Sequence, residues 1–179
     1  MENIKNNSKI KTMIINALLL SVLIVCSQII IPMPIGVPFT LQTLAIAVLA
    51  YLLPLKNSLI VLSTYLMAGF LGLPVFSGFT GGPSKFFAAS TGYLLGFLPM
   101  IILLHFSKKN IKKHKLIAVI FGLLGLLSCH LIGISWLMYI LHLDFVKAAL
   151  LGSVPYLIKD IVSVCFGAII AMKIEKILK

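Results

Sequence analysis

The sequence predicts an all-α integral membrane protein with six transmembrane helices, and three observations support this fold class. Of the 179 residues, 60% are hydrophobic and only 11% are charged, less than half the charged share of a typical soluble domain. The mean hydropathy of +1.14 leaves too little polar surface to face water. Most apolar stretches are apolar on all sides, whereas the helices of a soluble core carry an amphipathic stripe. We expect a single membrane domain over residues 1–179.

Six apolar runs are candidates for the transmembrane helices, because about 20 apolar residues cross the hydrocarbon core of a bilayer. They lie at 14–31, 40–53, 58–73, 86–106, 116–137 and 153–172. The second and third runs are short, so these helices are expected to tilt or to be shielded by their neighbours. The first run follows three lysines and could instead be a signal peptide, but no small-residue cleavage site follows it.

The distribution of lysines predicts the orientation, because cytoplasmic loops collect positive charge. With six spans and a cytoplasmic N-terminus, twelve lysines fall in cytoplasmic segments, while only Lys85 and Lys147 fall in outer segments. Both ends of the chain are therefore expected in the cytoplasm. Anionic lipid headgroups of the bilayer next to this basic face explain the net charge of +11, so we expect no nucleic-acid partner.

The predicted outer connections carry most of the conformationally special residues. The segment 32–40 holds three prolines and one glycine, which exclude regular helix and favour an extended path. Because this segment is apolar and uncharged, we expect it to lie over the protein as a lid or to dip into it. The second connection contains Gly81, Gly82 and Lys85, and its glycines permit close backbone approach. The third contains Trp136, at the level of the aromatic belt of a membrane.

Asp160 is the strongest candidate for a binding residue. Of the four acids in the chain, it alone lies inside a predicted span, where a charge costs several kcal/mol unless it faces protein or water. We expect it to face the bundle interior and to bind a ligand or an ion. The adjacent Lys159 points about 100° away around the helix, so it either snorkels outward or lines one wide cavity with Asp160. The alternative is that the two residues only neutralise each other or clamp helices together.

Other polar residues are weaker candidates for ligand binding. Gln42 and Thr43, in the first turn of the second span, could bond a ligand or another helix. The four histidines have no metal-ligand spacing and are interpreted as interface or packing residues. No nucleophile elbow or phosphate-binding loop occurs, so we expect no catalytic residue, metal or cofactor.

Ala17 and Ser21 lie one turn apart on the first helix, where small residues permit close contact with another helix.

Four blocks of sequence occur in a specific order and spacing. They read PFTLQTL at 38–44, YLMAGFLGLPVF at 65–76, GGP at 81–83 and STGYLLGF at 90–97. In this arrangement, which extends over nearly the whole chain, the sequence resembles the BioY family, the biotin-specific substrate-binding subunits of energy-coupling factor transporters.

The resemblance implies a high-affinity biotin-binding subunit, a multi-pass protein of a bacterial plasma membrane, with biotin as the transported ligand and no cofactor. Its pocket would open to the outside, and the proline-rich segment would close over it. The resemblance also implies a membrane coupling subunit and two cytoplasmic ATPase subunits as partners. Ala17 and Ser21 would dock the coupling subunit. The alternatives are a related subunit for a different vitamin and a small membrane-embedded enzyme.

The resemblance also yields a set of candidate substrate-binding residues. They are Asp160, Lys159, Gln42, Thr43, Phe39, Gly81, Gly82, Lys85, Tyr93, Trp136 and Ser163. The sequence departs from the family pattern at two points. The lysine expected three residues after the acid is Ser163 here, and a lysine stands at position 159 instead. Ser90 precedes Thr91, with one glycine fewer in that block. Residues at i and i+3 share a helix face, whereas adjacent residues do not. Either Lys159 reaches the pocket by another route, or the polar recognition differs.

Overall fold

The computed structural model describes the backbone of residues 2–33, 37–111 and 113–178. The middle of the predicted lid, at 34–36, and the predicted cytoplasmic lysines Lys112 and Lys179 lie outside these residues. Within the described chain, the structure is helical apart from one short β-ribbon and the connecting segments. The predicted all-helical class is confirmed.

Each of the six predicted spans overlaps one long helix, and a short helix, α6, lies in the connection between the last two. The helices are α1 (Glu2–Gln28), α2 (Gln42–Leu52), α3 (Leu55–Phe70), α4 (Thr91–Asn110), α5 (Lys115–Leu141), α6 (Phe145–Gly152) and α7 (Val154–Leu178). By length and composition, three segments of the described chain are apolar and long enough to cross a membrane: Lys9–Gln28, Thr91–Asn110 and Lys115–Leu141.

The fourth predicted span begins before its helix does. Residues Pro83–Phe87 form a separate 3-10 turn, and α4 begins only at Thr91. The turn follows Gly82, whose φ of 99° lies in the region that favours glycine. Thr91 Oγ1 donates a hydrogen bond to the Lys85 carbonyl oxygen at 2.7 Å, which ties the turn to the start of α4. Hydropathy did not predict this break because the turn is itself partly apolar.

A two-stranded antiparallel ribbon brackets the proline-rich segment. It consists of β1 (Ile30–Ile31) and β2 (Phe39–Thr40), with Ile30 opposite Thr40. The pairing explains why α1 ends at Gln28 rather than continuing through the apolar residues after it. The extended path predicted for 32–40 is confirmed at its last two residues, which form β2.

Helices α4 and α5 pack closely because glycines remove side chains from between them. A Cβ atom on Gly96 would lie 2.9 Å from both the Cα and the carbonyl oxygen of Cys129. A Cβ atom on Gly92 would lie 3.0 Å from the Cα of Gly133. Close contact through small residues is typical of membrane helix pairs. The pair therefore fixes the relative height of the side chains that α4 and α5 contribute to the cavity described below.

Polar contacts connect α2, α4 and α5 at the end of the bundle away from the β-ribbon. The Tyr51 hydroxyl on α2 lies 3.0 Å from Ser107 Oγ on α4, and Ser107 Oγ donates to the Ala118 carbonyl oxygen of α5 at 2.7 Å. Lys108 Nζ donates to the Leu52 carbonyl oxygen at 3.1 Å. These contacts hold α2, α4 and α5 together at the end where the basic connection between α4 and α5 lies.

The glycine contact between α4 and α5 predicts a specific loss of stability. Gly96→Val should lower the free energy of unfolding by about 1–3 kcal/mol, because the added methyl groups push the two backbones apart. The measurement is the melting temperature of the purified protein in detergent. Gly122→Ala is the matched control, since a Cβ atom there would meet nothing closer than the Tyr51 hydroxyl at 3.8 Å. Equal melting temperatures for both variants would contradict the packing argument.

Candidate ligand-binding site

A cavity of about 230 Å³ lies where the starts of α2, α4 and α7 meet the middle of α5. The described part of the proline-rich segment and both strands of the ribbon contribute to its wall. Its apolar surface includes Phe76, Leu94 and Phe97. Its polar side chains are Thr40, Gln42, Thr43, Ser77, Thr80, Lys85, Ser90, Tyr93, His130, Tyr156, Lys159 and Asp160. An apolar pocket with a few convergent polar groups is typical of a small-molecule site.

Asp160 lies in the wall of this cavity and is only 6% exposed. The expectation that it faces the interior of the bundle is confirmed. Its Oδ1 atom lies 2.5 Å from Lys159 Nζ, and its Oδ2 atom lies 3.3 Å from His130 Nε2 on α5. Thr43 on α2 lines the same cavity. Side chains from two helices, α5 and α7, thus contact one acid.

Lys159 also lines the cavity, so it does not snorkel outward. Its long side chain bends back so that Nζ reaches the adjacent Asp160 and donates to the Thr40 carbonyl oxygen at 2.9 Å. The same ammonium lies 5.0 Å from the centre of the Phe39 ring, a favourable cation–π distance. Adjacency on the helix therefore did not prevent the contact, because four methylene groups span the 100° offset. The ion pair both compensates Asp160 and clamps α7 to β2.

Gln42 lines the cavity and is already held in a fixed orientation. Its Nε2 atom donates to the Tyr65 hydroxyl at 2.7 Å, and its Oε1 atom accepts from Thr40 Oγ1 at 3.0 Å. The sequence left open whether Gln42 bonds a ligand or another helix. The structure places it against α3 through Tyr65, which is completely buried, and leaves its amide at the cavity surface.

Two further predicted residues, Lys85 and Tyr93, also line the cavity. Lys85 belongs to the 3-10 turn and is half-buried, and its ammonium forms no ion pair within the described chain. The Tyr93 hydroxyl donates to the Gly152 carbonyl oxygen at 2.5 Å, and its ring meets the edge of the His130 ring. Lys85 is therefore a positively charged group of the cavity wall that is separate from the ion pair at Asp160.

Five predicted residues do not line the cavity, and each has a local structural contact instead. Phe39 packs against the Tyr156 ring at 5.8 Å. A Cβ atom on Gly81 would collide with the Leu73 carbonyl oxygen, and Gly82 has the positive φ described above. Trp136 Nε1 donates to the Ala88 carbonyl oxygen at 2.9 Å, and Ser163 is buried within α7. Their role as ligand contacts stays a prediction.

His130 and Tyr156 are cavity residues that sequence reasoning missed. His130 was interpreted as a packing or interface residue, and the structure places it buried between helices, where its two ring nitrogens contact Asp160 and Ser153 Oγ. Tyr156 lines the cavity and donates its hydroxyl hydrogen to the Val37 carbonyl oxygen at 2.6 Å. No spacing rule relates residues on α5 to residues on α7, but Tyr156 and Asp160 share a helix face at i, i+4, which is a usable signal.

Comparison with known proteins identifies the family of this site. The BioY family model matches residues 2–179. The chain belongs to the BioY family. It is 33% identical over 172 residues to biotin transporter BioY2 of Lactococcus lactis subsp. cremoris, covering 96% of this chain and 94% of that protein. It is 34% identical over 150 residues to biotin transporter BioY of Thermotoga maritima, covering 82% and 86%.

A solved structure shows the same fold. It is the 2.1 Å crystal structure of the S-component for biotin from an ECF-type ABC transporter. The TM-score is 0.86 at 26% sequence identity, and the match covers 96% of this chain and 94% of that one. This BioY-family protein is thus a membrane protein similar to transporter components rather than to enzymes. Within its described residues, no group of three or more histidine, cysteine or acidic side chains could hold a metal ion.

The predicted docking residues of this BioY-family chain, Ala17 and Ser21, are exposed on α1. Ser21 Oγ donates back to the Ala17 carbonyl oxygen at 3.0 Å. Large apolar side chains are exposed on the same helix, among them Leu18 at 62% and Val25 at 60%. The structure therefore presents α1 as a peripheral helix with an open apolar surface.

The buried pair Lys159–Asp160 predicts strong energetic coupling. Lys159→Met should lower the free energy of unfolding by about 3–5 kcal/mol, because it leaves a buried carboxylate poorly compensated. The double variant with Asp160→Asn should be more stable than Lys159→Met alone, since the uncompensated charge is gone. Chemical denaturation in detergent of the wild type, the two single variants Lys159→Met and Asp160→Asn, and the double variant measures the coupling energy between the two side chains.

Lys147→Met is the matched control for this cycle. Lys147 Nζ lies 3.4 Å from Asp144 Oδ2, but both side chains are more than half exposed, and such pairs contribute little to stability. No measurable change is expected for this variant. Additive effects of the two substitutions at the buried pair would show that Lys159 does not compensate Asp160.

Proposed function

We propose that this chain is the biotin-binding subunit of an energy-coupling factor transporter. The observation that carries the proposal is the buried Asp160 carboxylate at one end of an apolar cavity in a BioY-family fold. Biotin is a neutral cyclic urea fused to an apolar sulfur ring, with a flexible chain that ends in a carboxylate. The chemistry of the cavity wall can be matched to each of these three parts.

The ureido group of biotin fits the Asp160 end of the cavity. Its two N–H groups are donors, and a carboxylate accepts such bonds more strongly than a neutral oxygen does. Asp160 and Lys159 together carry no net charge, so this end of the cavity suits a polar but uncharged group. Gln42 and Thr43 add neutral hydrogen-bonding groups from α2. The apolar ring of biotin would lie against Leu94 and Phe97.

The carboxylate of biotin requires a cation elsewhere, and Lys85 supplies one. This lysine lines the cavity from the 3-10 turn before α4, not from α7. Its ammonium has no ion-pair partner in the described chain, so it is available to a ligand. An acceptor at one end and a cation at another match a ligand whose donor and anionic groups are separated by an apolar ring.

We also propose that all six long helices span the plasma membrane of a bacterium, with both ends of the chain in the cytoplasm and a single membrane domain over residues 1–179. The distribution of lysines supports this orientation. The cavity lies at the end of the bundle with the predicted outer connections, and the basic connection between α4 and α5 lies at the other end. The cavity would then receive biotin from outside.

The remaining partners are a membrane coupling subunit and two cytoplasmic ATPase subunits. Two observations support this assignment: the resemblance to energy-coupling factor transporters and the absence of a phosphate-binding loop from the sequence. The exposed α1 surface around Ala17 and Ser21 would dock the coupling subunit. Small residues there allow a partner helix to approach closely.

Binding of biotin to the purified protein tests the proposal. Protein from biotin-fed cells should contain bound biotin, and its Kd should be below micromolar by titration calorimetry. Asp160→Asn should weaken binding by about 1.5–3 kcal/mol, because a charge-assisted hydrogen bond becomes a neutral one. A competition panel of other vitamins separates biotin from a different vitamin as the ligand. If the purified protein contained no bound biotin and bound added biotin no more tightly than micromolar, the proposal would be refuted.

Lys85→Met tests the orientation of biotin in the cavity, with the carboxylate of biotin near Lys85. It should weaken the binding of biotin but leave the binding of biotin methyl ester unchanged, because the ester has no carboxylate. Asp160→Asn should weaken both ligands to a similar extent. If Lys85→Met affected both ligands equally, Lys85 would not be the carboxylate partner.

Labelling of single cysteines tests the orientation. In a variant with Cys26, Cys129 and Cys165 replaced by alanine, Ser84→Cys should react with an impermeant maleimide on intact cells. Lys113→Cys should react only after the cells are made permeable. Both positions are exposed in the structure. The cysteine-free parent is the control, and the reverse labelling pattern would invert the proposed orientation.

A further inference from the structure

We propose that Ser153 and His130 form a positioning pair that holds Asp160 as an ionised acceptor for a neutral N–H donor of the ligand. His130 Nδ1 lies 2.9 Å from Ser153 Oγ, and His130 Nε2 lies 3.3 Å from Asp160 Oδ2. The three residues are 4%, 5% and 6% exposed, in the order Ser153, His130 and Asp160. The identity of the ligand rests on the proposed function, whereas the state of the pair rests on this geometry.

With a neutral imidazole, as the proposal has it, the chemistry of the three groups fixes where the hydrogens lie. An ionised carboxylate can only accept a hydrogen bond, so His130 Nε2 must carry a hydrogen to bond with Asp160. In a neutral imidazole the other nitrogen, Nδ1, is then an acceptor. The Ser153 hydroxyl can donate to it. Ser153 therefore selects the tautomer of His130 that donates to Asp160.

The backbone holds Ser153 in place for this role. The Ser153 carbonyl oxygen accepts from the N–H groups of Tyr156 and Leu157 at 2.9 and 3.1 Å, at the start of α7. The preceding residue, Gly152, accepts the hydrogen bond from the Tyr93 hydroxyl. The junction between α6 and α7 is thus attached to α4 and α5, and the hydroxyl of Ser153 faces His130 at a fixed distance.

The pair determines the charge of this end of the cavity. The titratable groups that line the cavity with His130 are Asp160, Lys159 and Tyr156 from α7, Tyr93 from α4, Cys129 from α5 and Lys85 from the 3-10 turn, and of these Asp160 and Tyr93 contact the His130 ring. With a neutral imidazole, the Asp160 carboxylate and the Lys159 ammonium cancel. Asp160 Oδ1 contacts that ammonium but makes no hydrogen bond within the described chain. The site therefore offers an acceptor without net negative charge.

This balance makes the pair a determinant of specificity. A neutral cyclic urea can donate to Asp160 without adding charge to a poorly solvated site. A cationic guanidine analogue would place a second positive charge beside Lys159, and like charges at close range strongly disfavour the wrong ligand. The protein should bind 2-iminobiotin, which is cationic at neutral pH, at least a hundredfold more weakly than biotin at pH 7.

Nitrogen NMR of the protein labelled with ¹⁵N-histidine tests the pair without any ligand. The spectrum of His130→Gln assigns the His130 signals. At pH 7 the wild type should show a neutral imidazole with its hydrogen on Nε2. In Ser153→Ala this form should no longer dominate, whereas Ser153→Thr keeps the hydroxyl and should retain it. A hydrogen on Nδ1, or an imidazolium, in the wild type would overturn the proposal.

Titration with biotin tests the consequence for binding. Ser153→Ala should weaken the affinity about tenfold, and Ser153→Thr should stay within threefold of the wild type. His130→Leu should weaken it at least tenfold, while His130→Gln, which keeps a donor near Nε2, should recover most of the loss. Ser135→Ala is the matched control, because Ser135 is an exposed serine of α5 that donates to the Leu131 carbonyl oxygen. It should change nothing.

The two readouts separate this inference from the proposed function. A protein with the Nε2–H tautomer that binds no biotin would contradict the proposed function alone. A protein that binds biotin with unchanged affinity after Ser153→Ala would contradict the positioning pair alone. Equal binding of 2-iminobiotin and biotin at pH 7 would likewise refute the charge balance assigned to the site.

Discussion

The buried charge of Asp160 is the constraint on which the arrangement of the helices depends. A carboxylate that is 6% exposed in an apolar bundle is destabilising by several kcal/mol unless other groups compensate it. The compensating groups come from two helices: the Lys159 ammonium from α7 and the His130 ring from α5. The two helices must therefore meet at one height, and this meeting point forms one end of the cavity.

The same compensation connects the acid to the proline-rich segment, whose described residues line the cavity wall. The Lys159 ammonium contacts Asp160 and also donates to the Thr40 carbonyl oxygen. One turn earlier on α7, Tyr156 donates to the Val37 carbonyl oxygen. Two side chains on one helix face thus attach the end of the proline-rich segment to the helix that carries the acid. The Lys159 side chain thus contacts both the acid and the end of the proline-rich segment.

Hydropathy was sufficient to predict the all-helical class and to locate a helix within each of six apolar runs, because burial in lipid demands long apolar runs. It placed the start of α4 too early, since a 3-10 turn of apolar residues has the hydropathy of a helix but lacks its backbone geometry. Asp160 could be identified because an acid in an apolar run is rare. His130 could not, because its contact depends on how α5 packs against α7. For Gly81 and Gly82 the structure shows local backbone crowding and a positive φ, and their role as ligand contacts stays a prediction.

The charge balance at Asp160 also bears on how the site can bind and release a ligand. Lys159 and His130 occupy the surroundings of both carboxylate oxygens, so no unpaired charge is left in a region of low dielectric. A neutral N–H donor that enters adds a hydrogen bond without changing the net charge, and it leaves without separating an ion pair. The free-energy difference between the two states is then set by hydrogen bonds and apolar contact rather than by bare Coulomb energy. Such a difference is small enough to be reversed, which a binding site in a transport cycle requires.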